Sequence, residues 1–420
     1  AIVGIGCLFP KAADLTSYWR EIVAATDCID DVPADHSWVA DEHYSSDYSA
    51  RDKTWCTRGG FLDKVPFDPI AFGIPPNILE SIDTTQLLSL IVARETLRDA
   101  GIDPDTDEKW NRDRTACIIG ITGTQELAVS LGSRLRGPIW KKSMLRCGVD
   151  ERVADAVVED IGNHMPTWTE QSFPGLLGNV VAGRIANRLN LGGTNAVVDA
   201  ACASSLSAIQ YAIGDLTSGR SDLVLSGGAD TLNDTFMFQC FTRTPAFSKK
   251  GDARPFDADA DGILIGEGIA MIAMKRLEDA ERDDDRIYAV IKGLGSSSDG
   301  RHKSIYAPNS GGQAKALRRT YAMADIDLET IELVEAHGTG TKAGDIAEIE
   351  GLKAVYGDTG RADRWVALGS VKSQIGHTKS TAGAAGLVKA ALALYQRVLP
   401  PTAKIDQPNP KMGFDKSPFY

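Results

Sequence analysis

Val197-Val198-Asp199-Ala200-Ala201-Cys202-Ala203-Ser204-Ser205 is the stretch that decides how the chain is read. Upstream of the cysteine, residues 194–199 follow the Gly192-Gly193 break and contain two adjacent valines, the pattern of a short buried strand entered from a turn. Downstream, Leu206, Ile209, Ile213 and Leu216 recur at three- and four-residue steps, so residues 203–217 are expected to form a helix with one apolar stripe. Cys202 therefore falls where a strand turns into a helix. A thiol there faces unpaired backbone N–H groups and the positive end of the helix dipole, which favour thiolate and can cradle an oxyanion. Strand-turn-helix elbows present the nucleophile in other acyl-transfer enzymes. The alternative is a small buried hydrophobe, the usual fate of a free cysteine.

Working outward, residues 1–6 read as an apolar strand opening the chain abruptly, as in an excised domain. Residues 12–25 read as an amphipathic helix with Asp14 near its start. Residues 30–52 are expected to be surface loop, 78–100 a long helix closing at Gly101, and 115–121 a buried strand. Residues 127–170 are polar and helical in pattern, and their Arg134, Arg136, Lys141 and Lys142 read as a solvated cap. Alternation resumes at residue 176. Strands are expected at 270–274, 287–292, 331–335 and 365–371, and helices at 313–324 and 382–395, the last rich in small residues. Such alternation indicates an α/β layered fold with covered sheets.

Composition narrows the function classes. The 420 residues are 43% hydrophobic and 24% charged, enough for a large core, and length alone suggests two or three domains of about 150 residues. A net charge of −12 argues against nucleic acid or an anionic membrane surface as the main partner. Seven cysteines include no Cys-x-x-Cys pair and no metal-type spacing with the six histidines, so no metal site is expected. An odd, scattered set fits a reducing compartment. No apolar run reaches the roughly 20 residues of a membrane helix and no leader is visible, so a cytoplasmic location is expected.

Two histidines sit in similar loops. Val334-Glu335-Ala336-His337-Gly338-Thr339-Gly340-Thr341 reads as a strand running into a Gly/Thr turn, and Lys372-Ser373-Gln374-Ile375-Gly376-His377-Thr378 as strand, turn and histidine before a helix. Ligands bind at the carboxyl ends of strands in open α/β sheets, so Cys202, His337 and His377 can converge on one pocket. Each histidine alone is weak evidence, and Lys372 alone reads as readily as a surface residue.

With these motifs the chain resembles the β-ketoacyl synthases, the condensing domains of fatty-acid and polyketide synthases. Residues 198–206 resemble the family's nucleophile signature, Glu335 to Thr341 followed by Gly344-Asp345 its first histidine signature, and Lys372 to His377 its second. Arg254-Pro255-Phe256-Asp257, Gly266-Glu267-Gly268 and Ser298-Asp299-Gly300 extend the likeness over nearly the whole chain. The resemblance implies a thiolase-like five-layer α-β-α-β-α fold of two pseudo-symmetric halves, normally a homodimer. Residues 1–250 would form the half with the nucleophile and 251–420 the half with both histidines. It implies that Cys202 takes an acyl group from a carrier-protein thioester, with its backbone N–H in the oxyanion hole. His337 and His377 would then stabilise the enolate left when a malonyl-carrier loses carbon dioxide, Lys372 and Glu348 supporting the site. No cofactor belongs to the domain itself; phosphopantetheine arrives on the acyl carrier protein, and neighbouring domains of a multienzyme are expected partners.

Asp52-Lys53-Thr54, Cys56, Arg58-Gly59-Gly60-Phe61, residues 75–80, Ser172-Phe173-Pro174-Gly175 and residues 303–308 resemble the first condensing domain of polyunsaturated fatty-acid synthases. Ser81-Ile82-Asp83-Thr84-Thr85-Gln86 departs from the Asp-Pro-Gln-Gln-Arg run of modular polyketide enzymes. Iterative enzymes of heterocyst-glycolipid or enediyne type are the near alternatives. A chain-length factor would lack the cysteine, a starter-type synthase would use Cys-His-Asn, and a non-catalytic carrier-docking domain would not need all three groups. Family members continue into a Gly-Phe-Gly-Gly-Thr-Asn loop that supplies half the oxyanion hole. Tyr420 precedes it, so the 420-residue chain is expected to turn over about 10²–10³-fold more slowly than one that carries it.

Overall fold

The structure, a computed structural model, describes residues 1–420 except positions 35, 37–39, 108, 109, 124, 245, 302, 303, 305, 360, 362 and 363. Lys303 and Ile305 of the subtype motif lie outside the described residues. In chain order the main elements begin with β1 (Ile2–Leu8), α1 (Leu15–Val23), α2 (Thr84–Asp99) and β2 (Thr115–Gly120). Three cap helices follow, α3 (Glu126–Arg134), α4 (Gly137–Arg146) and α5 (Glu151–Asn163). Next come α6 (Val180–Arg188), β3 (Asn195–Val198), α7 (Ser204–Thr217), β4 (Leu223–Asp230) and β5 (Gly268–Met274). The chain closes with α8 (Ser310–Ala324), β6 (Leu333–Glu335), α9 (Lys342–Tyr356), β7 (Ala367–Gly369) and α10 (Ala382–Gln396).

The first sheet has the order β1-β5-β4-β2-β3. β5 runs antiparallel to both its neighbours, β1 and β4, and β4, β2 and β3 run parallel. Because side chains alternate along a strand, this sheet feeds two cores. Cys117, Ile119, Leu225, Met271 and Ala273 face α2 and α6, whereas Ala116, Val224, Ala270 and Ile272 face α7 and α10. On the far side of α10, β6 and β7 pair in parallel, Val334 opposite Leu368, and their outer face packs on Ile349, Leu352 and Tyr356 of α9 and Ala314 of α8. The result is five layers: α2/α6, first sheet, α7/α10, second sheet, α8/α9.

Several expectations need correction. The long helix expected over 78–100 is a 3-10 turn, Pro76–Ser81, followed by α2, because the buried Asp83 breaks it by capping the Thr85 N–H and binding the Leu127 N–H at 3.1 Å. Residues 287–292 form no ladder strand; Ala289 makes an isolated bridge to Ile2. The strand expected over 365–371 forms a ladder at Ala367–Gly369, with Val366 bridging Phe419, and stops there because Lys372–Ile375 already turns as a helix. β5 lies beyond the expected 250/251 boundary yet sits between β1 and β4, so the stretch given to the second half completes the first sheet. Asp14 does cap α1, in a reciprocal capping box with Ser17.

The middle layer is tight where β2 passes under α7. A Cβ on Gly120 would lie 2.4 Å from the Ser205 backbone nitrogen. Gly120→Ala is expected to cost about 1–3 kcal/mol by overpacking, read as a lower urea midpoint at unchanged slope.

Candidate active site

Cys202 occupies a single 3-10 turn, Ala201–Ala203, immediately ahead of α7. Ala201 takes the left-handed conformation, φ 50°, which a residue with a Cβ adopts only when its surroundings hold it. Asp199 and Ser204 do the holding. One Asp199 oxygen accepts the Ala201 N–H at 3.1 Å and the Thr122 hydroxyl at 2.8 Å, and the other accepts the Gly123 N–H. Ser204 Oγ accepts the Ala200 N–H at 2.9 Å and donates to the Ala201 carbonyl at 2.7 Å. The half-exposed thiol is thereby fixed over the start of α7.

The first histidine loop leaves β6 at Glu335. Glu348 of α9 straps it down by accepting the backbone N–H groups of His337 and Gly338 at 2.6 and 2.8 Å. Asp345, one helical turn earlier, accepts the N–H of Gly340 at 3.0 Å and that of Phe256 at 2.8 Å. The second loop turns at Gly376, φ 73°, so that the His377 N–H reaches the Leu264 carbonyl at 2.7 Å and the Gly266 N–H reaches the His377 carbonyl at 2.9 Å. His377 is 3% exposed, whereas His337 stands exposed at the cleft mouth. A further 3-10 turn, Lys379–Thr381, separates His377 from α10.

These three turns bring the predicted residues together. Cys202 Sγ and a ring nitrogen from each of His337 and His377 all lie within 4.8 Å of one another. The two imidazoles meet edge to face, centroids 5.3 Å apart and planes at 90°. Nδ1 of His377 accepts the Lys379 backbone N–H at 2.9 Å. A neutral imidazole has one donor and one acceptor nitrogen, so the proton of His377 sits on Nε2.

Electrostatics keep both rings neutral. Although His337 is an exposed residue, the protein packed around its ring, then the Lys372 ammonium, hold it below its ordinary range. His377 is held well below its ordinary range, first by burial and then by Lys372. Lys372 is 5% exposed, not a surface residue; burial lowers it while Glu335, Glu348 and Cys202 favour its charge. Burial also raises Glu348 against its two N–H bonds. The expectation of a thiolate favoured at Cys202 is corrected: burial raises the thiol, and Lys372 and Lys379 offset it only in part. The three donor atoms are close enough for one metal ion, but a protonated thiol, a His377 Nδ1 already engaged and two nearby ammonium groups oppose a cation.

Sequence reading missed a set of buried charges around this site. Glu335 pairs with Lys389 at 2.6 Å and accepts the Val371 N–H at 2.6 Å, tying β6 to α10 and to the second loop. Lys379 pairs with Asp230 at 3.1 Å. A signal existed: Lys389 stands alone in the small-residue apolar run of α10.

The family model described as Beta-ketoacyl synthase, N-terminal domain, matches residues 1–280, and that described as Beta-ketoacyl synthase, C-terminal domain, matches residues 288–406. The chain belongs to the β-ketoacyl synthase family. It is similar to one of the polyunsaturated fatty acid synthase subunits of Thraustochytrium sp., 41% identical over 100% of this chain and 15% of that protein. It is also similar to the pikromycin polyketide synthase component PikAII of Streptomyces venezuelae, 33% identical over 99% of this chain and 10% of that protein. Among solved structures, the ketosynthase from module 6 of the Bacillus subtilis bacillaene synthase superposes with a TM-score of 0.83, 32% identity, 100% of this chain and 65% of that one. The PfaC keto synthase-chain length factor gives 0.84 at 28% identity, covering 97% and 43%. The chain thus spans a small fraction of these synthase proteins, and its five layers are the thiolase-like fold of ketosynthase domains.

A raised thiol has a measurable consequence. The rate at which iodoacetamide labels Cys202, followed by peptide mass, should climb about tenfold per pH unit up to at least the ordinary thiol value of 9.0; a plateau near neutrality would contradict the burial effect.

Proposed function

We propose that the chain performs the decarboxylative condensation of an acyl thioester with malonyl-carrier, using Cys202 as nucleophile and His337 and His377 as enolate stabilisers. The observation that carries this reading is the convergence of Sγ and two neutral imidazoles within 4.8 Å. Cys202 attacks the acyl-carrier thioester as thiolate, with its backbone N–H beside the developing oxyanion. The departing pantetheine sulfur takes up the proton that Cys202 lost. Malonyl-carrier then binds, and its carboxylate leaves as carbon dioxide, the bond electrons passing into the thioester as an enolate. His377, with its proton on Nε2, and neutral His337 stabilise the enolate oxygen. Neutral rings suit this step because an imidazolium would protonate the carbanion instead. The carbanion attacks the acyl-Cys202 carbonyl and expels the cysteine thiolate, giving β-ketoacyl-carrier. Lys372 stabilises that thiolate, and Glu348 fixes the loop that carries His337.

The substrate carrier is an acyl carrier protein with its phosphopantetheine arm, within a multienzyme that also supplies neighbouring domains. Elongation is iterative, in polyunsaturated fatty-acid synthesis, and takes place in the cytoplasm; the 41% identity to part of such a synthase supports this pathway. Identities of 33–35% to polyketide synthase components support a polyketide ketosynthase, of iterative type, only as the second reading, the iteration itself resting on the sequence resemblance. The two halves act together, the first giving the nucleophile and the second both histidines. The chain pairs with a second copy through β3, the last strand of the first sheet, which pairs with β2 alone. Val197→Pro is expected to convert a sedimenting dimer to monomer.

Intact mass after mixing with acyl thioesters should show one acyl increment that vanishes in Cys202→Ala. His337→Ala and His377→Ala should retain that increment and lose about 10²–10³-fold in malonyl decarboxylation. Preference for long acyl chains over branched polyketide starters would favour the fatty-acid pathway. An increment absent both from the 420-residue chain and from one extended through the Gly-Phe-Gly-Gly-Thr-Asn loop would overturn the nucleophile assignment.

A further inference from the structure

Lys379 stands two residues past His377 and has no place in the condensation steps. Its side chain is 4% exposed and fully engaged: Nζ donates to Asn233 Oδ1 and to the Gly266 carbonyl, both at 2.8 Å, and lies 3.1 Å from Asp230 Oδ1. These three partners come from the end of β4 and from the strand-like run before β5, so the ammonium bolts the second histidine turn to the first sheet. Asp230 is itself fixed, accepting the Leu232 N–H at 3.2 Å, and Asn233 Nδ2 donates to the Gly60 carbonyl at 3.2 Å.

The backbone of Lys379 is the unusual part. Its φ is 48°, the left-handed region that a long side chain enters only under external constraint. In that conformation its N–H points back at His377 Nδ1, 2.9 Å away. Gly266 closes the circuit: its carbonyl accepts from Lys379 Nζ while its N–H donates to the His377 carbonyl at 2.9 Å. Head group, turn and imidazole are thus one ring of hydrogen bonds. A purely structural ion pair would need no such turn.

We propose that Lys379 is a positioning residue for His377: its buried ammonium, clamped by Asp230, Asn233 and Gly266, holds the left-handed turn whose N–H fixes the His377 proton on Nε2. The inference rests on the condensing role assigned above, and it names a residue that sets which imidazole nitrogen faces the substrate. Lys379 touches no reacting atom. Its removal frees the turn, releases Nδ1 and lets both neutral tautomers populate, and only one of them donates from Nε2.

The test uses the full chain labelled with ¹⁵N-histidine, the His377 signals being assigned by their loss in His377→Ala. Lys379→Met removes the clamp. Because that variant leaves Asp230 buried without its partner, Lys379→Met combined with Asp230→Asn removes both charges and guards against simple misfolding. In the wild type the His377 nitrogens should report a single Nε2–H tautomer. In both variants they should report a mixture, and malonyl-carrier decarboxylation should fall by about tenfold or more beyond whatever loss of Cys202 acylation follows from removing the Lys379 charge. An unchanged tautomer in a folded variant would overturn the proposal, as would acylation and decarboxylation falling together in step with the thermal midpoint. If the wild-type chain failed to decarboxylate malonyl-carrier, the condensing role would fall while the nitrogen spectrum still decided the role of Lys379.

Discussion

The hydroxyl of Ser205 accepts the Ala384 backbone N–H at 3.0 Å, and that bond joins the two helices on which everything else is stacked. α7 carries the Cys202 turn at its start and α10 the second histidine turn at its own. Both helices lie in the layer between the sheets, so their first turns meet where neither side can yield. The close passage of β2 beneath Ser205 follows from that meeting, since only a residue without a Cβ fits there. The thiol and the imidazoles are near each other because two helix starts are pressed together, each loop then being trimmed to reach the same point.

A second constraint is charge. Lys372, Lys379 and Lys389 are all buried, and Asp230, Glu335 and Glu348 are buried with them. Leaving any of these unpaired in a dry interior is costly, so they form a mutually dependent set around the cleft. Lys372 depresses both imidazoles, Lys379 adds to the effect on His377, and Glu335 and Glu348 favour the charge on Lys372. What emerges is a site rich in fixed charge whose working groups are neutral: a protonated thiol and two uncharged rings.

The parts of the molecule written as local pattern were legible in the sequence. The valine pair before Asp199, the stripe of α7 and the Gly/Thr turns after His337 depend on neighbours within a few residues, and the three side chains that meet in the structure could be named from them. Longer-range features were not. Residues 287–292 are as apolar as a ladder strand, yet lie where pairing stops at one bridge, and β5 crosses back to complete a sheet begun some 260 positions earlier in register with Ile2 to Leu8. The protonation of Cys202 was misjudged because helix position is local, whereas the burial that raises the thiol is assembled from segments far apart in the chain. Lys379 was passed over for the same reason: its partners lie 113 and 146 positions away.

The turns before α7 and α10 match closely. Each is a single 3-10 turn of three residues, and each opens on a non-glycine residue in the left-handed region, Ala201 at 50° and Lys379 at 48°. The station that Cys202 holds in the first turn belongs in the second to Ser380. Its hydroxyl is fully buried and spent on the Ala229 carbonyl at 2.8 Å. The two turns therefore offer equivalent seats to a side chain, one left open to the cleft with Cys202 and the other sealed, with Ser380 serving as a structural rivet.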